Sequence, residues 1–272
     1  MPTSKNDAYG RTYKRKVYPK NSVGKRFPTK THVAPLRNKN GEIVAGLEVF
    51  RDISVEEEHR IVVEKFNKLI KQNVSNATIE EVVKELHSEI SEKSEYKERS
   101  ILFMDVVGFS SYSESHTPKV VTSMLNDLFG ICEVITTEFH GDIDKFVGDC
   151  IMAVFIDATD AANAGAKILD VLTHHNGIRK KEELSEISIR IGINTGEVLQ
   201  GEIGTPSRKD LTVIGDTVNT ASRIESNTPP NSLCISDSTY HRVKDKSPFK
   251  KHGDIQVKNK KNPITTYILQ QQ

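Results

Sequence analysis

Asp105 closes an apolar run, Ile101-Leu-Phe-Met104, whose length and bounding residues are those of a buried strand. The residues after it, Val106, Val107, Gly108 and Phe109, form a short apolar turn whose backbone N–H groups can face a ligand. Asp149 occupies a second place of this kind. Lys145-Phe-Val-Gly-Asp149 followed by Cys150-Ile-Met-Ala-Val-Phe155 reads as strand, tight turn, strand. Either aspartate alone is an ordinary turn former. Two carboxylates on neighbouring strand tips suit Mg²⁺ bound through substrate phosphates, because the ion takes one or two protein carboxylates and completes its octahedron with phosphate oxygens and water. The stretch from Asp210 to Glu225 adds Asn219 and Arg223, four apart and so on one helix face. An amide and a guanidinium stacked there can hold a sugar oxygen and a phosphate. Arg223 and Glu225 taken singly read as surface charges.

The elements that must position these residues alternate from Glu98 onward. A strand over 100–105 precedes a helix from 118 to 139, with Pro118 at its favoured first position. Strands at 142–147 and 150–155, an Ala-rich helix over 158–175, strands at 186–194 and 197–201, a strand at 211–214 and a helix over 216–226 follow. A strand at 233–235, a short helix and two closing strands complete a mixed α+β sheet with helices packed on one side.

Residues 1–53 are basic and β-like, with strands near 14–18, 31–36 and 43–50 around an Asn38-Lys-Asn-Gly41 turn. The stretch from Thr31 to Ile53 resembles the last strands of a PAS sensor domain, which close on a signature like Arg51-Asp-Ile-Ser54; the residues before it are too few for a whole PAS pocket. Residues 54–97 read as a helical linker. Ser54 with Glu57 is a capping box, and Val62, Phe66 and Leu69 lie on the narrow seam of a two-stranded coil. Thr78 restarts a helix with Ile79, Val83, Leu86 and Ile90 on one stripe. Either a dimeric signalling linker or a helix pair packed on its own domain fits this pattern.

Lys+Arg total 38 against Asp+Glu 37 in 272 residues, which gives no push toward nucleic acid or anionic membrane. No apolar run approaches the roughly 18 residues of a spanning segment, and the first residues have no signal-peptide core. The three scattered cysteines, Cys132, Cys150 and Cys234, read as reduced core thiols of a cytoplasmic protein.

Four stretches together, Phe103–Ser110, Lys145–Phe155, Arg190–Gly196 and Val213–Arg223, resemble the catalytic domain of class III nucleotidyl cyclases over about residues 98–272. The resemblance implies the ferredoxin-like core sheet of that family. It implies that Asp105 and Asp149 hold two Mg²⁺ (or Mn²⁺) ions, that Val106 to Phe109 offer N–H groups to the triphosphate, that Asn219 orients the ribose, and that Arg223 stabilises charge on the α-phosphoryl group. Lys258 aligns with a triphosphate lysine, although Asn259 stands where the family has glycine. In this family a Lys/Asp or Lys/Thr pair selects adenine and a Glu/Cys pair guanine; Lys145 and Thr212 stand at those positions. The chemistry agrees, since adenine N1 needs a donor and its 6-amino group an acceptor. The implied activity is an adenylate cyclase that converts ATP to 3′,5′-cyclic AMP and pyrophosphate, with sites shared head-to-tail across a homodimer. Lys/Thr pairing also resembles the subgroup in which bicarbonate activates. The alternatives are a guanylate cyclase of the same fold and an inactive cyclase-like regulatory dimer.

Overall fold

The computed structural model describes residues 13–75, 78–79, 83, 94–205, 208–256 and 263–270. The chain divides into two compact units, 1–73 and 74–272. In the first, β1 (Tyr13–Val17), β2 (Thr29–Arg37) and β3 (Ile43–Asp52) form an antiparallel sheet in that order. The turn between β2 and β3 forms as the sequence requires, with Asn38 Oδ1 accepting from the Asn40 and Glu42 N–H groups and Gly41 at φ 86°. α1 (Ser54–Asn73) follows. Its start differs from the expected capping box. The Ser54 hydroxyl donates to Asp52 Oδ1 at 2.6 Å, and Glu57 pairs with Lys16 and Arg60 instead of reaching back to the cap. Val62, Phe66 and Leu69 are exposed along α1. Most of the second helix expected in the linker lies outside the described residues.

The second unit is built on one sheet of eight strands in the order β10-β11-β9-β7-β4-β6-β5, with β8 paired to the far end of β7. These are β4 (Ser94–Val106), β5 (Asp142–Val147), β6 (Cys150–Phe155), β7 (Ile189–Thr205), β8 (Arg208–Ile214), β9 (Ser232–Ser236), β10 (Phe249–Ile255) and β11 (Ile264–Leu269). β4 begins at Ser94, so the sheet takes up residues that the sequence pattern places in the linker. The intervening helices are α2 (Phe109–Ser115), α3 (Pro118–Glu138), α4 (Ala158–Lys181), α5 (Asp216–Asn227) and α6 (Asp237–Arg242).

Period-two alternation sends the central strands to two faces. Leu102 and Met104 of β4 and Ile189, Ile191 and Ile193 of β7 pack against α3 and α4 in the main core. Ile101 of β4, Met152 of β6, Val198 of β7, Val213 of β8 and Ala221 of α5 form a smaller core on the other face. The two long helices therefore share one side as expected, whereas α5 lies opposite. α3 is the helix among the described residues long and apolar enough to cross a membrane by length and composition; its Met124, Leu128, Cys132 and Ile135 are buried in the core.

α5 reaches its sheet face because β7 presents small residues there. A Cβ built on Gly192 would lie 2.1 Å from the Glu225 nitrogen, and one on Gly196 would lie 2.8 Å from Thr217 Oγ1. The helix is pinned at its first turn: Thr217 Oγ1 donates to the Glu197 carbonyl at 2.7 Å, and Asn194 Nδ2 donates to the Thr217 carbonyl at 3.0 Å.

Candidate active site

Asp105 stands next to last in β4, opposite Arg190 of β7 in the ladder. The Arg190 guanidinium donates to Asp105 Oδ2 at 2.8 Å, and its Nε lies 3.2 Å from Glu225 Oε1 without hydrogen-bond alignment. Asp149 lies in the β5–β6 turn after Gly148, whose φ of 64° is open to glycine at little cost. Burial pushes the Asp149 carboxyl up, the neighbouring Asp105 charge adds to this, and the N–H groups of Asp149 and Val106 act against it. Glu225, only 5% exposed, is pushed up to about 7 by burial and then by Asp105, with Arg190 opposing. The Cys150 thiol beside them is pushed up to about 12, first by burial and then by Asp105. The structure thus gathers Asp105, Asp149 and Glu225 at one end of the sheet with Arg190 as the cation among the leading charges acting on them.

This donor set fits a hard divalent cation. All its ligand atoms are carboxylate oxygens, the Asp105 charge adds to burial in raising the Asp149 and Glu225 carboxyls, and one guanidinium leaves the three short of neutral. Asp105 and Asp149 supply two carboxylates, and no cluster of three or more His, Cys, Asp or Glu among the described residues makes an all-protein cage.

Lys145 and Thr212 meet elsewhere. In β5, Ile143 pairs with Ala153 and Lys145 with Met152, so Asp144 is the extra residue of a β-bulge. The bulge lets Ile143 join the main core while Lys145 turns to the α5 face with Met152. Lys145 Nζ lies 3.2 Å from Asp144 Oδ2. The hydroxyl of buried Thr212, in β8, donates to that same oxygen at 2.8 Å. Burial raises the Asp144 carboxyl, while Thr212 and the Lys145 ammonium draw it back. By ladder position Lys145 lies level with Phe103, two residues back from Asp105 and two strands away, about 12 Å in the sheet.

Asn219 and Arg223 share the exposed face of α5, and neither side chain has a hydrogen-bond partner among the described residues. In the turn after Asp105, the Val107 N–H donates to the Ser188 carbonyl at 2.8 Å, and the Val106 N–H serves the Asp149 carboxylate. Only Gly108 and Phe109, at the start of α2, keep N–H groups uncommitted among the described residues, which narrows the phosphate role expected of all four. Lys258 lies outside the described residues.

Two participants are not foreseen in the sequence reading. Glu225 reads there as a surface charge but is buried. The signal lies in the spacing: Thr217, Thr220, Ala221, Ile224 and Glu225 form the inward stripe of α5. Arg190 sits on the β7 face that also carries Gly192, Asn194 and Gly196, a row of small or polar residues interrupted by one guanidinium.

Comparison with known proteins identifies the family of the second unit. Residues 91–271 match the model of the adenylate and guanylate cyclase catalytic domain. An adenylate cyclase of Anabaena cylindrica is 37% identical over 179 residues, 62% of this chain and 36% of that relative, so the chain spans about a third of its length. Among solved structures, the adenylyl cyclase CyaB of P. aeruginosa is 30% identical with a TM-score of 0.62, covering 66% of this chain and 97% of that one. The guanylyl cyclase Cya2 is 32% identical with a TM-score of 0.61, covering 65% and 93%. Both nucleotide specificities are represented, and likeness alone does not choose between them. With its acidic strand tips, its glycine-seated α5 and a family match over two thirds of its length, the chain belongs to the adenylate and guanylate cyclase catalytic-domain family.

Proposed function

We propose that the chain is an adenylate cyclase. The observation that carries this reading is the meeting of Lys145 and Thr212 on one oxygen of Asp144, within one protomer. The ammonium is a donor for adenine N1, and the threonine oxygen is an acceptor for the 6-amino group. Guanine presents N1–H and O6 there and would face a cation and a hydroxyl of the wrong polarity.

In the reaction, the ribose 3′-oxygen forms a bond to the α-phosphorus, the bond to the β-phosphate oxygen breaks, pyrophosphate leaves, and the hydroxyl proton passes to solvent. Asp105 and Asp149 would hold the two divalent ions, which would supply Lewis-acid activation of the ribose 3′-hydroxyl and charge neutralisation of the triphosphate. Arg223 meets the charge developing at the α-phosphoryl group, and Asn219 holds the ribose. The N–H groups of Gly108 and Phe109 face the phosphates. Arg190 fixes the rotamer of Asp105, so that carboxylate is aimed before substrate arrives.

The two half-sites come from different copies of the chain. Lys145 stands about 12 Å from Asp105 by ladder position, far apart for one compact site within a single chain. In this reading the carboxylates of one protomer complete a site with Lys145, Thr212, Asn219 and Arg223 of another, in a two-fold dimer with two equivalent sites.

Product formation from ATP and GTP with Mg²⁺ or Mn²⁺, with and without bicarbonate at constant pH, tests this. Cyclic AMP from ATP at a kcat/KM at least tenfold above that for GTP is expected. Cyclic GMP as the main product would move the chain to the guanylate reading. Absence of either product under every condition would leave the inactive regulatory dimer.

A further inference from the structure

A hydroxyl has one proton and two lone pairs, so the group that takes its proton decides what the rest of it can do. Thr212 Oγ1 donates to Asp144 Oδ2 at 2.8 Å. Both side chains are largely out of solvent, Asp144 at 8% exposure and Thr212 at 7%. An ionised carboxylate only accepts, so with its proton committed there the threonine presents acceptor lone pairs alone. The bulge is what makes the contact. In an unbroken strand Asp144 and Lys145 would point to opposite faces; with Asp144 as the extra residue, its carboxylate reaches the Lys145 ammonium at 3.2 Å and the Thr212 hydroxyl together. Asp144 is thus separate from the carboxylates at Asp105 and Asp149, with a different and closed set of partners.

From this geometry we propose that Asp144 is a positioning residue for base choice, fixing the Thr212 hydroxyl as an acceptor for an exocyclic 6-amino group and against a 6-oxo group. The inference deepens the adenylate reading and rests on it. Removing Asp144 frees the Thr212 proton, and the hydroxyl can then turn and donate to a 6-oxo oxygen.

The test compares kcat/KM for ATP and for inosine triphosphate, whose base carries O6 without the 2-amino group of guanine. In the intact chain ATP is preferred. Asp144→Ala lowers the ATP-to-ITP ratio about tenfold, a little over one hydrogen bond's worth of discrimination. In a Thr212→Val background, which has no hydroxyl to orient, the same substitution leaves the ratio unmoved. Should the alanine chain not fold, Asp144→Val restores bulk at the position without a group that can accept the Thr212 proton and gives the same reading. An unchanged ratio in the folded variant, or an equal drop with Val at 212, overturns the role of Asp144 while leaving the adenylate reading intact. A wild-type preference for GTP over ATP overturns both.

Discussion

The two half-sites differ in how complete each is within a single chain. At the carboxylate end, Asp105, Asp149 and Glu225 face one guanidinium, Arg190. Three acids against one base leave the cluster under-neutralised, and burial with the added Asp105 charge raises the Asp149 and Glu225 carboxyls. At the base end, Asp144, Lys145 and Thr212 form a closed set of one carboxylate, one ammonium and one hydroxyl. On the proposed reading the first region takes the cations of the triphosphate and the second, its donors and acceptors already paired, takes the uncharged base. By ladder position the two lie about 12 Å apart in one sheet.

The largest expected effect separates the two regions genetically. Asp105→Ala empties the first and Arg223→Ala damages the second, and each alone loses on the order of a thousandfold in kcat. If the regions belong to different sites in a dimer, random reassortment puts half the chains in mixed dimers with one intact site each. An equal mixture then recovers about a quarter of wild-type activity. Subunit exchange shown by a labelled partner, with no recovery, would break the comparison by placing both regions in one site.

A second effect concerns the shared scaffold. Gly192→Ala drives a Cβ to 2.1 Å from the Glu225 backbone, so α5 itself must move, carrying Asn219 and Arg223 with it. About 2–4 kcal/mol of stability and most of the activity should be lost. Gly165→Ala is the control in the main core. Its Cβ meets Leu233 methyl groups at 3.2 and 3.3 Å, atoms at the end of a side chain that can turn, and an Ile191 methyl at an ordinary 3.5 Å, and a cost below about 1.5 kcal/mol is expected from chemical denaturation. Equal costs would show that α5 yields as easily as a leucine.

Local pattern was enough to place the strands that carry the acids. The expected spans at 142–147 and 150–155 coincide with β5 and β6, because Gly148-Asp149 between two apolar runs admits few alternatives. Longer-range features were hidden. β7 runs unbroken over 17 residues, where Thr195-Gly196 looked like a break. Gly196 is there because Thr217 needs the space, a reason that exists only after α5 has docked. The bulge at Asp144 is invisible for a similar reason, since register belongs to a pair of strands and not to either one. Asp105, Asp149, Lys145, Thr212, Asn219 and Arg223 are expected site residues on the sequence alone, whereas the placement of Arg190 and Glu225 beside Asp105 is visible only in the fold. Their meaning comes from facing Asp105 across β7 and α5.

The smallest effect is a matter of pH. Glu225 has an ordinary value of 4.5 and stands at about 7 in the fold, with burial the main cause and Asp105 the next. Between these values the folded chain holds a proton that the unfolded chain has released, so stability falls as pH rises from about 4.5 and levels off above about 7. The contribution is therefore full in acid and lost in mild base. Glu225→Gln carries no such proton. In metal-free protein it should raise stability relative to wild type by on the order of 1–2 kcal/mol at pH 8 and by little at pH 5, read as the difference in denaturation midpoint between the two conditions. Asp144 is raised by burial as well, but Thr212 and Lys145 draw it back, so Asp144→Asn gives a contrast of size and not of sign. Its gain at pH 8 should be smaller than the gain at Glu225 under identical conditions. An equal gain at both would erase the distinction between the two half-sites.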